Sequence, residues 1–510
     1  MVTAPKKGTD KSTPLPLSTK AKGANDRASK LSKRRSGELI IATVGAVGSG
    51  ASKTAEALLQ LLKDEYQYDG KIVKPSKIID ENGFRIVGDA KSIIPEDRVE
   101  RLQFLGSELR KKYGNDYVVD KCITEINDSR ADKNPTSDPR RWVTIIDSLK
   151  HPVEYARLKE VYGGAFWTVG VLAPQDVRTK RLRKLIDSNA KIAKIFEVDE
   201  EEGKPWGQRV RDTTVLSDYF IRNDSDKDDD LRRSVSRFLS LLFRNGVITP
   251  TNDETGMYAA MSAAMGSACL SRQVGAAIVD GQGNVIAKGR NDVPKFGGGL
   301  YGSEIGEPDS RCYKIKGGIC HNDAHKSELI DEIMASIVAE LGLSSNSVAP
   351  LRKVIENGRI KSLIEFSRSV HAEMDAILSV ARAGSGKLAG SSMYSTTFPC
   401  HNCARHIIAA GIERVIYIEP YIKSLATTLH DDAISIHSKD SDKNVQFLQF
   451  EGVAPKNMLT LFSANGGRKE KGKLIQSKPS KDSPASMVLL DGFVVNETLV
   501  VHETGSKEQE

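Results

Sequence analysis

A histidine and a glutamate two residues apart open the stretch HAEMDAIL at residues 371–378, and two cysteines three apart sit in PCHNCARHIIAAGI, which begins at Pro399. Imidazole and thiolate are the ligands zinc prefers, in a tetrahedral arrangement, and a catalytic zinc takes three of them and keeps its fourth position for water. His371, Cys400 and Cys403 supply that count. Cys400 and Cys403 fall one turn apart where a helix is expected to begin, so the helix dipole favours their thiolates, and Pro399 suits a helix start. Glu373 is then more useful as a proton carrier than as a ligand. Zinc lowers the pKa of water toward ~7, and a carboxylate beside it can take the proton and hand it to a ring nitrogen. His401 and His406 flank the site as bystanders, with His401 the one competitor as a ligand.

His-x-Glu followed by Pro-Cys-x-x-Cys is the signature of zinc deaminases acting on nucleobases. Either half alone is weak, because Cys-x-x-Cys is often redox-active or structural; the joint occurrence is the signal. Around it, SRQVGAAIVD, GRNDVP, HAEMDAIL, PCHNCARHIIAAGI and EPYIKSLATTLHDDAI make residues 251–455 resemble the cytidine and deoxycytidylate deaminase family, in its deoxycytidylate branch. The resemblance implies a mixed sheet flanked by helices, a zinc cofactor and a sugar contact from Asn291. Tyr421, Lys423 and Ser424 lie where that branch has a similar run after its last core strand.

The elements that would hold these residues can be read from patterning. Thr251 or Asn252 caps a helix over TNDETGMYAAMSAAMG, and VGAAIVDGQGNVIAKGRN reads as two strands joined by a Gly-containing turn. A polar insertion over 296–368 carries its own helix, SELIDEIMASIVAELG. Helix 371–383, strand SSMYSTTF, helix 402–410, strand RVIYIEP, a helix near 424–433 and strand VQFLQF follow. Within the insertion, Cys312, Cys320, His321 and His325 have the spacing Cys-x7-Cys-His-x3-His. A second, structural zinc and an ordinary loop both fit that spacing.

Upstream, the apolar strand in GELIIATVGAVGSGASKTAEALLQLL runs into glycines and then a helical pattern. In GAVGSGAS, Gly45, Gly50 and Ser52 align with the two glycines and the hydroxyl residue of a phosphate-binding loop, and Ala46, Val47, Gly48, Ser49 and Ala51 complete it. Backbone amides at a helix N-terminus favour phosphate. Ala51 stands where the motif has lysine, and Lys53 comes two positions later, so the loop reads as a binding site that is weak in phosphotransfer. Asp147, at the end of VTIID, is the candidate magnesium partner. Strands RWVTIIDSL and FWTVGVLAP alternate with helical stretches, which argues for a parallel α/β domain, and PQDVRTKRLRK resembles the basic lid of nucleoside monophosphate kinases.

The expected fold class is therefore α/β: a P-loop kinase-like parallel-sheet domain over 38–245, then a cytidine-deaminase-like mixed-sheet domain with flanking helices over 246–465. A basic disordered tail precedes them at 1–37, and a mostly flexible tail follows at 466–510. The net charge of +7 resides in these tails: residues 1–37 carry +8 and residues 466–481 carry +5, leaving the rest at −6. An acidic body is a poor match to a groove that tracks a phosphate backbone. Six cysteines in 510 residues are few for a disulfide framework and favour a reducing compartment. With no apolar signal region and no apolar run near the ~20 residues of a span, a cytoplasmic protein without a membrane partner is expected.

The two-domain layout resembles bacterial anti-phage deoxycytidine nucleotide deaminases. That resemblance implies dCTP, and also dCMP, as substrates, with dCTP depletion starving phage replication. A regulatory nucleotide or other inhibitor, a nucleoside triphosphate with magnesium at the first domain, and a homo-oligomer are the remaining expectations. A housekeeping dCMP deaminase and a polynucleotide cytidine deaminase are the alternatives.

Overall fold

LIIATVG forms strand β1 (Leu39–Gly45), and all seven of its residues are buried. A strand apolar on both faces belongs in the middle of a covered parallel sheet. In the computed structural model β1 is flanked by β3 (Trp142–Leu149) and β4 (Phe166–Leu172), both parallel to it. The description covers residues 35–509 except 88–93, 132–140, 226, 305, 307, 316, 385, 422–423, 437–442, 465–467 and 476–487. Most of the expected N-terminal tail, and Lys423, lie outside the described residues.

The first sheet has six strands in the order β12-β5-β4-β1-β3-β2, with β2 at Asp69–Val73, β5 at Tyr219–Arg222 and β12 at Gly452–Val453. Its crossovers are helical: α1 (Ala51–Tyr66), α2 (Pro75–Val87), α3 (Arg98–Tyr113), α4 (Tyr117–Ala131), α5 (Pro152–Tyr162), α6 (Gln175–Leu182), α7 (Asn189–Glu201) and α8 (Asp228–Leu242). Helix α1 starts at Gly50, whose φ of 96° lies in the left-handed region that a side chain would strain.

The second sheet also has six strands, in the order β10-β11-β9-β8-β6-β7. They are β6 (Gly275–Val279), β7 (Val285–Arg290), β8 (Ser392–Thr397), β9 (Arg414–Glu419), β10 (Ile434–Ser435) and β11 (Val445–Gln449). β6 pairs antiparallel with β7 and β8, whereas β8, β9, β11 and β10 run parallel, giving the mixed sheet expected. Its helices are α9 (Asn252–Ala264), α10 (His321–Leu341), α11 (Ser345–Glu356), α12 (Ala372–Ala383) and α13 (His401–Ala409). Thr251 is the cap of α9: its hydroxyl accepts from the Glu254 amide at 3.1 Å, and Glu254 accepts from the Thr251 amide at 2.8 Å. The insertion carries two helices rather than one. Pro350 inside α11 removes a backbone donor and disguises that helix in the sequence. The helix expected near 424–433 shrinks to Ala426–Leu429.

Two expected boundaries need correction. Residues 452–461 fall in the expected deaminase domain, yet they complete the first one: β12 pairs antiparallel with β5, and Met458 and Leu461 join the core of Leu39, Leu58 and Phe238. The expected flexible C-terminal tail contains α14 (Leu490–Gln509), which packs on α4 and α5. There Lys507 pairs with Asp116 at 3.0 Å and Asp120 at 3.3 Å, Tyr117 donates to Glu508 at 2.6 Å, and Val500 is buried. The partners are almost four hundred positions away, so no local pattern announces them.

Between the sheets lies one shared apolar cluster, with Leu172 and Phe220 from the first domain and Met257, Ala277, Tyr394, Ile416 and Phe450 from the second. Glu254 bridges the same junction, pairing with Arg237 at 2.7 Å and accepting from the Val453 amide at 2.9 Å. Phe450 is fully buried, its ring 5.8 Å from that of Phe220. Phe450→Ala is therefore expected to cost ~3–5 kcal/mol and to destabilise both domains in one denaturation transition. Two well-separated transitions in the wild type, only one of them shifted in the variant, would contradict a common core.

Candidate active site and glycine-rich loop

His371 is the residue before α12, and Cys400 the residue before α13. Two helix N-termini therefore aim their partial positive charge at one spot, which favours thiolate there. His371 Nδ1 lies 3.3 Å from Cys400 Sγ and 3.4 Å from Cys403 Sγ. These three ligand atoms lie within 4.8 Å of one another, and they form the one such group among the described residues. The Cys400 thiol is drawn down to about 4 by hydrogen bonding to Cys403 and His371, and His371 is raised to about 9 chiefly by the Cys400 hydrogen bond. Cys403, sharing that network in a buried position, is pushed up. One nitrogen and two sulfurs in this cluster fit zinc in ligand type and count.

Glu373 is buried beside the cluster without belonging to it. Its Oε1 accepts from Ser395 Oγ at 3.4 Å, and its Oε2 lies 3.5 Å from Cys403 Sγ. Burial pushes its carboxyl up, toward a group able to hold a proton. Asn291, at the end of β7, donates from Nδ2 to the Arg272 carbonyl at 2.8 Å and accepts at Oδ1 from the Val274 amide at 2.7 Å. It fixes the 272–274 segment while still lining the cavity with His371, Glu373 and Cys400.

That cavity has a volume of about 510 Å3. The insertion supplies one wall, including Asn322 and Lys326 of α10 and Lys361 near its end; Arg272, Phe398 and Tyr421 come from the sheet side. Lys326 pairs with Asp323 at 2.9 Å, and Arg272 pairs with Glu419. Sequence reading missed Arg272, Lys326 and Lys361. No local signal joins them: Arg272 precedes the insertion while Lys326 and Lys361 lie within it, and only the fold shows that they converge.

His406 bonds the Asn402 carbonyl at 2.7 Å and is exposed, and His401 is outside the ligand group. The structure does not bring Cys312, Cys320, His321 and His325 together as a metal group. His325 bonds Glu328 at 2.8 Å, Cys320 lies 3.5 Å from Ser271 Oγ, and Cys312 lies 4.0 Å from Arg368. Ser424 Oγ donates to the Pro399 carbonyl at 2.8 Å, which ties the segment after β9 to the start of α13.

The loop Gly45–Ser52 sits between β1 and α1, with φ of 83° at Gly48 and 96° at Gly50. Its outer carbonyls are held by Arg181, which donates to Gly48 at 3.1 Å and Ser49 at 3.2 Å, and by Asn223, which donates to Ser49 at 2.7 Å. Inside, the Val47 amide already donates to the buried Asp199 carboxylate at 2.7 Å. Lys150 joins them, 2.8 Å from Asp199 and 3.1 Å from the Gly45 carbonyl. Lys53 instead pairs with Asp228. Ser52 Oγ donates to Asp147 Oδ1 at 3.1 Å.

A His/Cys/Cys group and a buried glutamate on a mixed sheet define a protein of the zinc-hydrolase class. The model of the "Cytidine and deoxycytidylate deaminase zinc-binding region" matches residues 250–419. The deoxycytidylate deaminase of Enterobacteria phage T2 is 31% identical over 164 residues, spanning 31% of this chain and 74% of the phage protein. The chain belongs to the cytidine and deoxycytidylate deaminase family. A UPF0200 protein of Methanothermobacter thermautotrophicus is 28% identical over 153 residues, 29% of this chain and 73% of that protein, and the N-terminal region resembles it. The structure of a dCMP deaminase from cyanophage S-TIM5 with dCMP and dUMP is 18% identical, covers 40% of this chain and 98% of its own, and has a TM-score of 0.24.

Proposed function

We propose that this protein hydrolytically deaminates free deoxycytidine nucleotides, dCTP to dUTP and dCMP to dUMP, with His371, Cys400 and Cys403 holding zinc. The observation that carries the reading is the buried Glu373 beside three zinc-type ligands, in a cavity edged by Arg272, Lys326 and Lys361. Zinc held by His371, Cys400 and Cys403 would supply Lewis acidity toward a water placed at C4 of cytosine. Glu373 takes a proton from water and gives it to the ring nitrogen as the C4–O bond forms; it then carries the proton of the new hydroxyl to the amino group, so that C4=O forms, the C4–N bond breaks and ammonia leaves. Ser395 orients the Glu373 carboxylate. Asn291 keeps the 272–274 wall in place and presents its remaining amide capacity to the sugar. The cations at the rim suit phosphates.

Assays of dCTP, dCMP and single-stranded DNA side by side test this reading. Release of ammonia from the free nucleotides and none from DNA is the expected result; turnover of DNA alone would overturn it. Lys326→Ala or Lys361→Ala should raise KM for dCTP roughly tenfold, the loss of one charge-assisted contact, with kcat largely kept. A fall in kcat at unchanged KM would remove these residues from phosphate binding.

The biological role we assign is depletion of dCTP in antiviral defence, with the first domain as a nucleotide-responsive regulator rather than a working kinase. The missing loop lysine and the Asp199 carboxylate on the Val47 amide support regulation over transfer. Magnesium and a nucleoside triphosphate would be taken by Ser52, Asp147 and the loop amides. A Cβ at Gly50 would run into the Asn223 amide. Gly50→Val should therefore alter deamination in infected cells while zinc content stays at the wild-type level. Robust phosphate transfer from ATP to a nucleoside monophosphate by the wild type would refute the regulator.

A further inference from the structure

Beside the glycine-rich loop, a cleft of about 250 Å3 lies where the two domains meet. Ser49, the end of β4 and Arg222 at the end of β5 form one side; Tyr417 of β9 and Phe447 and Gln449 of β11 form the other. Arg178 of α6 and Arg211 of the short helix Val210–Thr214 also reach it, with Glu200 among the lining and Asp212 3.8 Å from the Arg211 Nε. Arg178 is only 5% exposed, and its Nη2 donates to Glu200 at 3.0 Å. Arg222 lies 3.3 Å from Asp224. Three polar atoms on this cleft are shielded from solvent and find no partner in the protein: Ser49 Oγ, Arg178 Nε and Gln449 Oε1. Buried donors and acceptors are rarely left so, and three of them in side chains that line one cavity single it out. The chemistry is specific. Guanidinium groups and a hydroxyl recognise phosphate oxygens. Val171, Leu172, Pro174 and Phe447 give an apolar wall with Tyr417 beside it, and Gln449 offers an acceptor to a base or sugar donor.

We propose that this interdomain cleft is a nucleotide-binding site distinct from both the deaminase cavity and the amide cradle of the loop, with the phosphates on Arg178, Arg211, Arg222 and Ser49. The cleft continues into a more open groove through Gln175, Glu200, Tyr417 and Pro420, and that groove reaches Phe398 and Tyr421, which also line the deaminase cavity. A nucleotide here touches the strand whose next residues, Pro420 and Tyr421, wall the reaction site. It shifts deamination to the extent that it binds one arrangement of that segment better than another.

The test is calorimetric titration of the full chain with ATP, GTP, dTTP and inorganic tripolyphosphate, none of which carries cytosine. At least one nucleotide is expected to bind. Arg211→Ala with Arg222→Ala should weaken it at least tenfold. Gln449→Leu, which replaces an unpaired acceptor with an apolar group, should keep the thermal midpoint and lower nucleotide affinity relative to tripolyphosphate. Absence of binding up to millimolar nucleotide overturns the proposal. So does equal affinity in wild type and double arginine variant. Coupling to deamination rests on the proposed activity and is read separately, as a change in dCMP turnover on adding the bound nucleotide. Binding without any deamination would spare the site and sink the enzymatic reading; deamination without binding would do the reverse.

Discussion

Glu373→Ala retains zinc and loses deamination by ~10²–10⁴-fold, the usual contribution of a positioned general acid–base. The side chain contacts the ligand cluster only through Oε2, at 3.5 Å from Cys403 Sγ, and it lies outside the His371–Cys400–Cys403 group. Removing it leaves all three ligands in place. Substrate binding is expected to survive, so the loss falls on kcat. Glu373→Gln keeps the volume and the hydrogen bond from Ser395 while removing the transferable proton, and should be equally inactive. Metal analysis and steady-state kinetics on both variants check this. Wild-type turnover in a folded Glu373→Ala protein contradicts the role.

Removal of the two thiolates has the other large effect. Cys400→Ala with Cys403→Ala leaves one imidazole, which cannot hold zinc in a tetrahedral protein site. The doubly substituted chain is expected to carry no stoichiometric zinc and to show no deamination of dCTP or dCMP. Circular dichroism separates this from unfolding. Cys400 and Cys403 are small buried side chains, and the surrounding core of Ala276, Ile278, Met393 and Ile407 remains. Full zinc occupancy in the double variant would move the metal elsewhere, with His401 the first place to look.

The zinc group was legible because its parts are local in sequence: His371 with Glu373, and Cys400 with Cys403, each pair at the start of a helix. Strand β1 and the loop after it were legible for the same reason. The unread parts depend on contacts between distant segments. Asp199 meets the loop across 152 positions, and no pattern near either end marks the meeting. Lys326 and Lys361 reach the cavity only because the insertion folds back over it. Strand β12 is two residues long, too short for periodicity to register, and its pairing with β5 is what moves the domain boundary.

That pairing also sets a schedule for synthesis. β5 ends at Arg222 and its edge partner starts at Gly452, so the first sheet has a bare edge until the second domain has been translated. At ~5–20 residues per second, the intervening stretch of about 230 residues takes roughly 10–50 s. During that interval the edge of β5 and the apolar face of Leu172 and Phe220 lack the partners that cover them in the folded chain. A chain cut short inside the deaminase half would therefore leave the kinase-like half without its edge strand as well.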